Sequence, residues 1–163
     1  MQVGELCTRL KVPYRHARYV LEQGILPAGV EEKPGRGDHR QLAPAQAFWL
    51  GIVLMLKQSG VQTPMAGKIA DFARDAVRSV TQNLNWEFTF EPFLGRFETE
   101  QQWFVDIGDL RYVRLATTAN PSHDGLYEFL PWSDMVKRRP VKGIRPVVIL
   151  RLDLSSLAQR FRD

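Results

Sequence analysis

Residues 3–42 read VGELCTRLKVPYRHARYVLEQGILPAGVEEKPGRGDHRQL. Val3, Leu6, Cys7 and Leu10 recur at i, i+3, i+4 and i+7, the spacing of one face of a short amphipathic helix. Lys11-Val12-Pro13 closes that pattern, and Pro13 suits the first turn of a second helix because its missing N–H falls where no intrahelical partner exists. In the second helix Ala17, Val20 and Leu21 make an apolar stripe, while Arg15, Arg18, Tyr19 and Glu22 make a polar stripe at helical spacing. Gly24 is the expected stop and Pro27 lies beyond it. Two short helices with a three- or four-residue joint match a helix-turn-helix.

The charge in this stretch is organised. From Arg9 to Arg18 the chain carries Arg9, Lys11, Arg15, His16 and Arg18 and no acid. Such a run suits a polyanion, since each phosphate neutralised by a cation releases condensed counterions. The formal charge of +4 lies wholly in the first half: residues 1–85 hold eleven Lys/Arg against seven Asp/Glu, and residues 86–163 hold eleven of each. From Ala28 to Leu42 the composition shifts to Gly, Pro and charge around PGRGDHR. Gly35 and Gly37 permit a tight reversal, with Val30 and Leu42 as anchors of two short flanking strands. After a helix-turn-helix, a basic hairpin is a wing; the other reading is a solvated loop.

These residues resemble the MerR-type winged helix-turn-helix family. Val3-Gly4-Glu5-Leu6 is similar to the family's opening. Val12, Arg15, Arg18-Tyr19, Glu22, Gly24 and Leu26-Pro27 fall at the spacings of its recognition helix and exit, and Gly35-Arg36-Gly37-Asp38-His39-Arg40 resembles its wing. Gly60-Val61 before a capped helix resembles the family's fourth helix, so the similarity spans about residues 1–80. The resemblance implies a homodimeric transcription regulator. In it Arg15 and Arg18 face the groove or phosphates, Tyr19 meets the backbone and Arg40 is a wing contact. Arginine offers a planar fork suited to guanine or phosphate, and tyrosine offers a hydroxyl to a phosphate oxygen. Lys11, Tyr14, His16, Arg36 and His39 complete the expected DNA-contacting set.

Further along, Pro44 opens a third helix through Phe48, Trp49, Ile52, Val53 and Leu56, apolar nearly all round and therefore either central in the core or shared with a second subunit. Thr63 as N-cap and Pro64 at the first helical position start a fourth helix, in phase through Met65, Ile69, Phe72, Ala73, Ala76, Val77 and Val80 to about residue 82. Period-two alternation then predicts strands at Trp86–Phe90, within Trp103–Ile107 and Tyr112–Thr118, and at Val148–Leu154, with Asp153 or Ser155 capping a last helix through Leu157 and Phe161.

Other chemistry is thin. A single cysteine, Cys7, excludes a disulfide framework, and its phase with Val3 and Leu6 makes it a small core hydrophobe. Ser122, His123 and Asp124 are neighbours in a turn-like segment, whereas a catalytic triad converges from different elements. Asp106, Asp109, His123 and Asp124 have no recognised metal spacing. No phosphate-binding or dinucleotide fingerprint occurs. Lys137-Arg138-Arg139-Pro140 is a second basic cluster, read as a solvated loop, with an auxiliary phosphate contact as the alternative. The aromatic-rich second half is read as core, with an effector pocket or dimer surface as the alternatives. The longest apolar run, Ala47 to Leu56, is ten residues, about half of a bilayer span. With no signal-peptide pattern, a cytoplasmic, nucleoid-associated protein is expected.

The expected fold is α+β: a mainly α winged helix-turn-helix over residues 1–83, then a small antiparallel-sheet domain with a C-terminal helix over residues 86–163. The expected function is sequence-specific binding of double-stranded DNA by a homodimeric regulator without enzymatic activity, cofactor, metal or membrane contact. A small-molecule or protein effector at the second domain fits this scheme. The alternatives are a phage- or plasmid-type architectural factor and a protein-interaction or ligand-binding module. Whether the dimer forms through the second half or the apolar third helix is open at this level.

Overall fold

A computed structural model describes residues 1–27, 29–31, 40–81, 102–117, 130–132 and 143–161. The chain mixes helices with one antiparallel sheet. Among the described residues four helices come first: α1 (Val3–Leu10), α2 (Tyr14–Glu22), α3 (Pro44–Gln58) and α4 (Thr63–Thr81). Four strands follow, β1 (Trp103–Gly108), β2 (Tyr112–Thr117), β3 (Leu130–Pro131) and β4 (Ile149–Asp153), then α5 (Leu154–Gln159).

The helix ends follow local chemistry. Lys11 closes α1 in the left-handed conformation (φ 55°), with Val12 N–H reaching back to the Cys7 carbonyl at 2.9 Å. Gly24 ends α2 at φ 71°, which lets Ile25 N–H return to the Val20 carbonyl. Gln46 accepts from the Ala43 N–H at 2.9 Å and steadies the start of α3. One cap differs from expectation. The Gln62 carbonyl accepts the first bond of α4, so Thr63 is already helical, and its hydroxyl accepts from Lys57 Nζ instead.

The apolar third helix resolves as a central core element. Ala47 through Leu54, and Leu56, are buried within this one chain, which accounts for the nearly all-round apolar sequence of α3. Trp49 Nε1 donates to Asp71 at 3.0 Å, tying α3 to α4. Leu10, Ala17, Val20 and Leu21 dock the first two helices into the same core. The pairing near residue 42 also differs from the expected strands at Val30 and Leu42. Gln41 bridges antiparallel to Gln2, and Leu42 N–H donates to the Met1 carbonyl at 2.8 Å. The N-terminus is the partner of this stretch among the described residues, because Leu42 enters the core beside Val3.

The sheet has strand order β3-β2-β1-β4, antiparallel throughout. Alternation sends Val105, Ile107 and Val113 inward, all essentially buried, and turns Phe104, Asp106, Arg114 and Arg151 to the other face. Asp109 (φ 49°) and Leu110 (φ 51°) are the central residues of the tight turn in the three-residue link from β1 to β2, closed by Arg111 N–H on the Gly108 carbonyl at 2.9 Å. Leucine at positive φ costs about 1 kcal/mol. Asp153 caps α5 as expected, accepting from Ser156 N–H at 2.8 Å.

Helix α5 joins the halves. It packs on both α3 and β1. Phe161 meets Phe48 edge-on, with ring centroids 5.9 Å apart. Buried side chains from residues 3–73 and from residues 105–161 belong to one hydrophobic cluster. The strand expected at Trp86–Phe90 lies outside the described residues, as do Lys137–Pro140 and most of the second-half aromatics.

Candidate nucleic-acid interface

Helix α2 has two unlike faces because its two stripes are set by helical phase. Ala17 and Val20 have no exposure and Leu21 is nearly covered. Burying Val20 and Leu21 stabilises the docked helix by roughly 1.5–3 kcal/mol each. The opposite side presents Tyr14, Arg15, Arg18 and Tyr19 to solvent, with the exposed Lys11 at the turn before them.

Each cation on this surface has a distinct situation. Arg15 makes no ion pair among the described residues. Arg18 donates from Nε to Glu22 Oε1 at 2.7 Å, one helical turn away, and this hydrogen bond, reinforced by charge, raises its already high pKa. The contact uses one of the five guanidinium N–H groups and leaves both terminal nitrogens for a ligand. Lys57, at the C-terminal end of α3, lies over the Tyr19 ring at 4.2 Å from its centroid and donates to Thr63 Oγ1 at 3.0 Å. The ring face favours the ammonium, and the Thr63 hydroxyl fixes its direction.

The remaining expected residues divide. His16 is half-buried, with Nδ1 enclosed and without a hydrogen-bond partner, so this nitrogen is withdrawn from the surface that Arg15 and Arg18 share. Arg40 is half-buried beside Gln41. Arg36 and His39 lie outside the described residues. Arg9, counted in the basic run, is tied to Glu5 at 2.8 Å and reaches the Arg160 carbonyl. Lys57 was missed by sequence reasoning. Its one signal is that it is the first charged residue after the apolar run Ala47–Leu56.

A second arginine cluster sits on the outer sheet face. Asp106 has 0% exposure and accepts from Arg114 Nε at 2.9 Å and from Arg151 Nε at 2.6 Å and Nη2 at 2.9 Å. Both arginines stand directly opposite Asp106 in the strand register. The Arg151 guanidinium stacks over Phe104 at 4.6 Å, and its hydrogen bond to Asp106 raises its pKa. These guanidiniums already hold a carboxylate, so they form a structural cross-brace.

No group of three potential metal-ligating side chains gathers among the described residues. Ser122, His123 and Asp124 lie outside them. No described helix is long and apolar enough to cross a membrane. Comparison with protein-family models, with curated proteins and with solved structures finds no match to this chain.

Proposed function

We propose that this protein binds double-stranded DNA sequence-specifically through a winged helix-turn-helix of the MerR kind and acts as a homodimeric transcriptional regulator at the nucleoid. The observation that carries the reading is the outward face of α2: Arg15 and Arg18 flanked by Tyr14 and Tyr19, on a helix whose other side is buried. A helix of this size fits the major groove, and its arginines reach base edges or phosphates.

Three further features support it. The turn at Lys11–Pro13 sets α2 against α1 with an exposed lysine at its entrance. Tyr19 and Lys57 form an oriented pair beside the arginines, suited to a backbone phosphate flanking the groove. The Gln2–Gln41 bridge ties Gln41, next in sequence to the stretch read as a wing, to the N-terminus of the helical layer. In this scheme Arg15 and Arg18 read or position, Tyr14, Tyr19 and Lys57 hold the backbone, and Lys11, Arg36, His39 and Arg40 add flanking charge.

Fluorescence anisotropy against a pool of short genomic duplexes, at two salt concentrations, tests this. Tight binding to a few sequences, weakened by salt and lost in Arg15→Ala/Arg18→Ala, is the expected result. Equal weak binding to every duplex, or none, would sink it.

A further inference from the structure

Tyr14 and Tyr19 are the two large aromatic side chains on the outward face of α2, exposed by 58% and 47%, and their surroundings differ. The Tyr19 ring already carries Lys57 of α3, 4.2 Å from its centroid. Tyr14 makes no hydrogen bond, ring contact or cation contact among the described residues. It is the first residue of α2, directly after Pro13, and the first turn of the helix holds no acid.

Helical phase separates the two rings further. At 3.6 residues per turn, five positions span about 140° around the axis, so Tyr14 cannot share the phosphate that Tyr19 and Lys57 would flank. Arg18, four positions on from Tyr14, is only about 40° away and one turn along, which makes the two side chains surface neighbours. Glu22 holds Arg18 from its other side at 2.7 Å. The order along this stripe is ring, guanidinium, carboxylate. The ring stands at the N-terminal end, and in a recognition helix the N-terminal residues are the ones that contact base edges.

We infer that Tyr14 is a specificity-determining residue that reads thymine, its ring packing on the C5 methyl of a thymine beside the guanine that Arg18 takes. That methyl is the apolar feature of the major-groove floor, and it marks thymine against the other three bases. A guanidinium suits guanine O6 and N7, whereas a solvated ring gains by burying a methyl. One helical turn rises about 5.4 Å and one base step about 3.4 Å, so the thymine falls one or two steps from that guanine. Tyr14 thereby parts from Tyr19 and Lys57, which keep the backbone.

This inference deepens the proposed function and rests on it. Its test takes the full chain and the duplex it prefers, with each thymine replaced in turn by deoxyuridine, which keeps the base pair and loses only the methyl. Anisotropy titrations compare the wild type, Tyr14→Phe and Tyr14→Ala. Position 14 is mostly exposed, and melting curves verify that both variants are folded. At one thymine in each half-site the replacement is expected to weaken the wild type and Tyr14→Phe about fourfold, the effect of one buried methyl, and to leave Tyr14→Ala unchanged. Deoxyuridine effects of equal size in the wild type and Tyr14→Ala, or none at any position, overturn the thymine contact while binding that depends on Arg15 and Arg18 stands. Weaker binding of Tyr14→Phe to every duplex alike, with deoxyuridine silent, gives the hydroxyl to a phosphate and overturns it as well. A chain with no preferred duplex overturns both this inference and the reading beneath it.

Discussion

Helix α2 and the outer sheet face both display a pair of arginines, and the two pairs live in opposite circumstances. On the sheet, Arg114 and Arg151 converge on one carboxylate that has 0% exposure, and an aromatic ring backs one of them. On α2, Arg15 stands free of ion pairs among the described residues and Arg18 shares an exposed contact with Glu22, with side-chain exposures of 70% and 58%. A guanidinium that already satisfies a buried acid is costly to remove and has little to offer a ligand. A solvated guanidinium contributes little to stability and is available to an anion. The same residue type is therefore committed to structure in one region and left open to a ligand in the other, as the proposed function requires, and what surrounds it decides which.

The sharpest way to break this contrast is to delete each pair. Arg15→Ala/Arg18→Ala is expected to weaken binding to the preferred duplex roughly a hundredfold and to lower the salt slope by about two, with thermal stability unchanged. An equal loss of melting temperature would mean that α2 needs its arginines to fold. Asp106→Asn is expected to do the reverse. It leaves two guanidiniums facing a neutral amide, at a cost of about 2 kcal/mol. That is below the usual figure for a broken buried pair, because Arg114 and Arg151 are themselves 24% and 50% exposed and can turn to water. The melting temperature should fall by about 5 °C while DNA affinity, measured on the folded protein, stays put.

How much of this was legible beforehand follows from the range of each signal. The boundaries of α1, α2 and α3 and the cap at Asp153 were readable because they depend on neighbours within one turn of chain. The strands β1 and β4, and the inward face of β4, were readable from period-two alternation. The cross-brace at Asp106 was not. Its partners stand eight and forty-five residues away and meet only through strand register, so sequence offered Asp106 merely as a loose metal-ligand candidate. Lys57 escaped for the same reason, since its contact with Tyr19 needs the α2–α3 crossing. His16 lies within the legible run, yet its partial burial depends on how α2 rolls against its neighbours.

Two glycines sharpen the comparison at the level of packing. A Cβ at Gly51 would come within 3.1 Å of the Phe161 ring and 3.4 Å of Leu10, so Gly51→Ala presses on the junction between α3 and the C-terminal segment. A loss of about 1–2 kcal/mol in denaturant unfolding is expected, because rings from both halves share that space. No loss would show that Phe161 yields easily. Gly24→Ala meets no steric neighbour, but its φ of 71° charges an alanine about 1 kcal/mol, felt at the end of α2 alone. Amide exchange in α2 should quicken relative to the sheet.

The smallest expected effect bears most directly on recognition. Glu22 is the one acid on the exposed stripe of α2, and it holds Arg18 by Nε at 2.7 Å. Near DNA its charge opposes every duplex alike, while its grip pre-aims the two terminal nitrogens of Arg18 for a bidentate contact. Glu22→Gln separates these effects. Loss of the charge should tighten binding to random duplex a few-fold and steepen its salt dependence by about one. Binding to the preferred site should gain less, because Arg18 then has to be ordered on contact. The ratio of specific to non-specific affinity is therefore expected to fall. If both affinities rise by the same factor, Glu22 is only a surface charge and Arg18 finds its partner unaided. If the ratio rises, the carboxylate restrains Arg18 away from the groove and the orientation assigned to the pair is wrong.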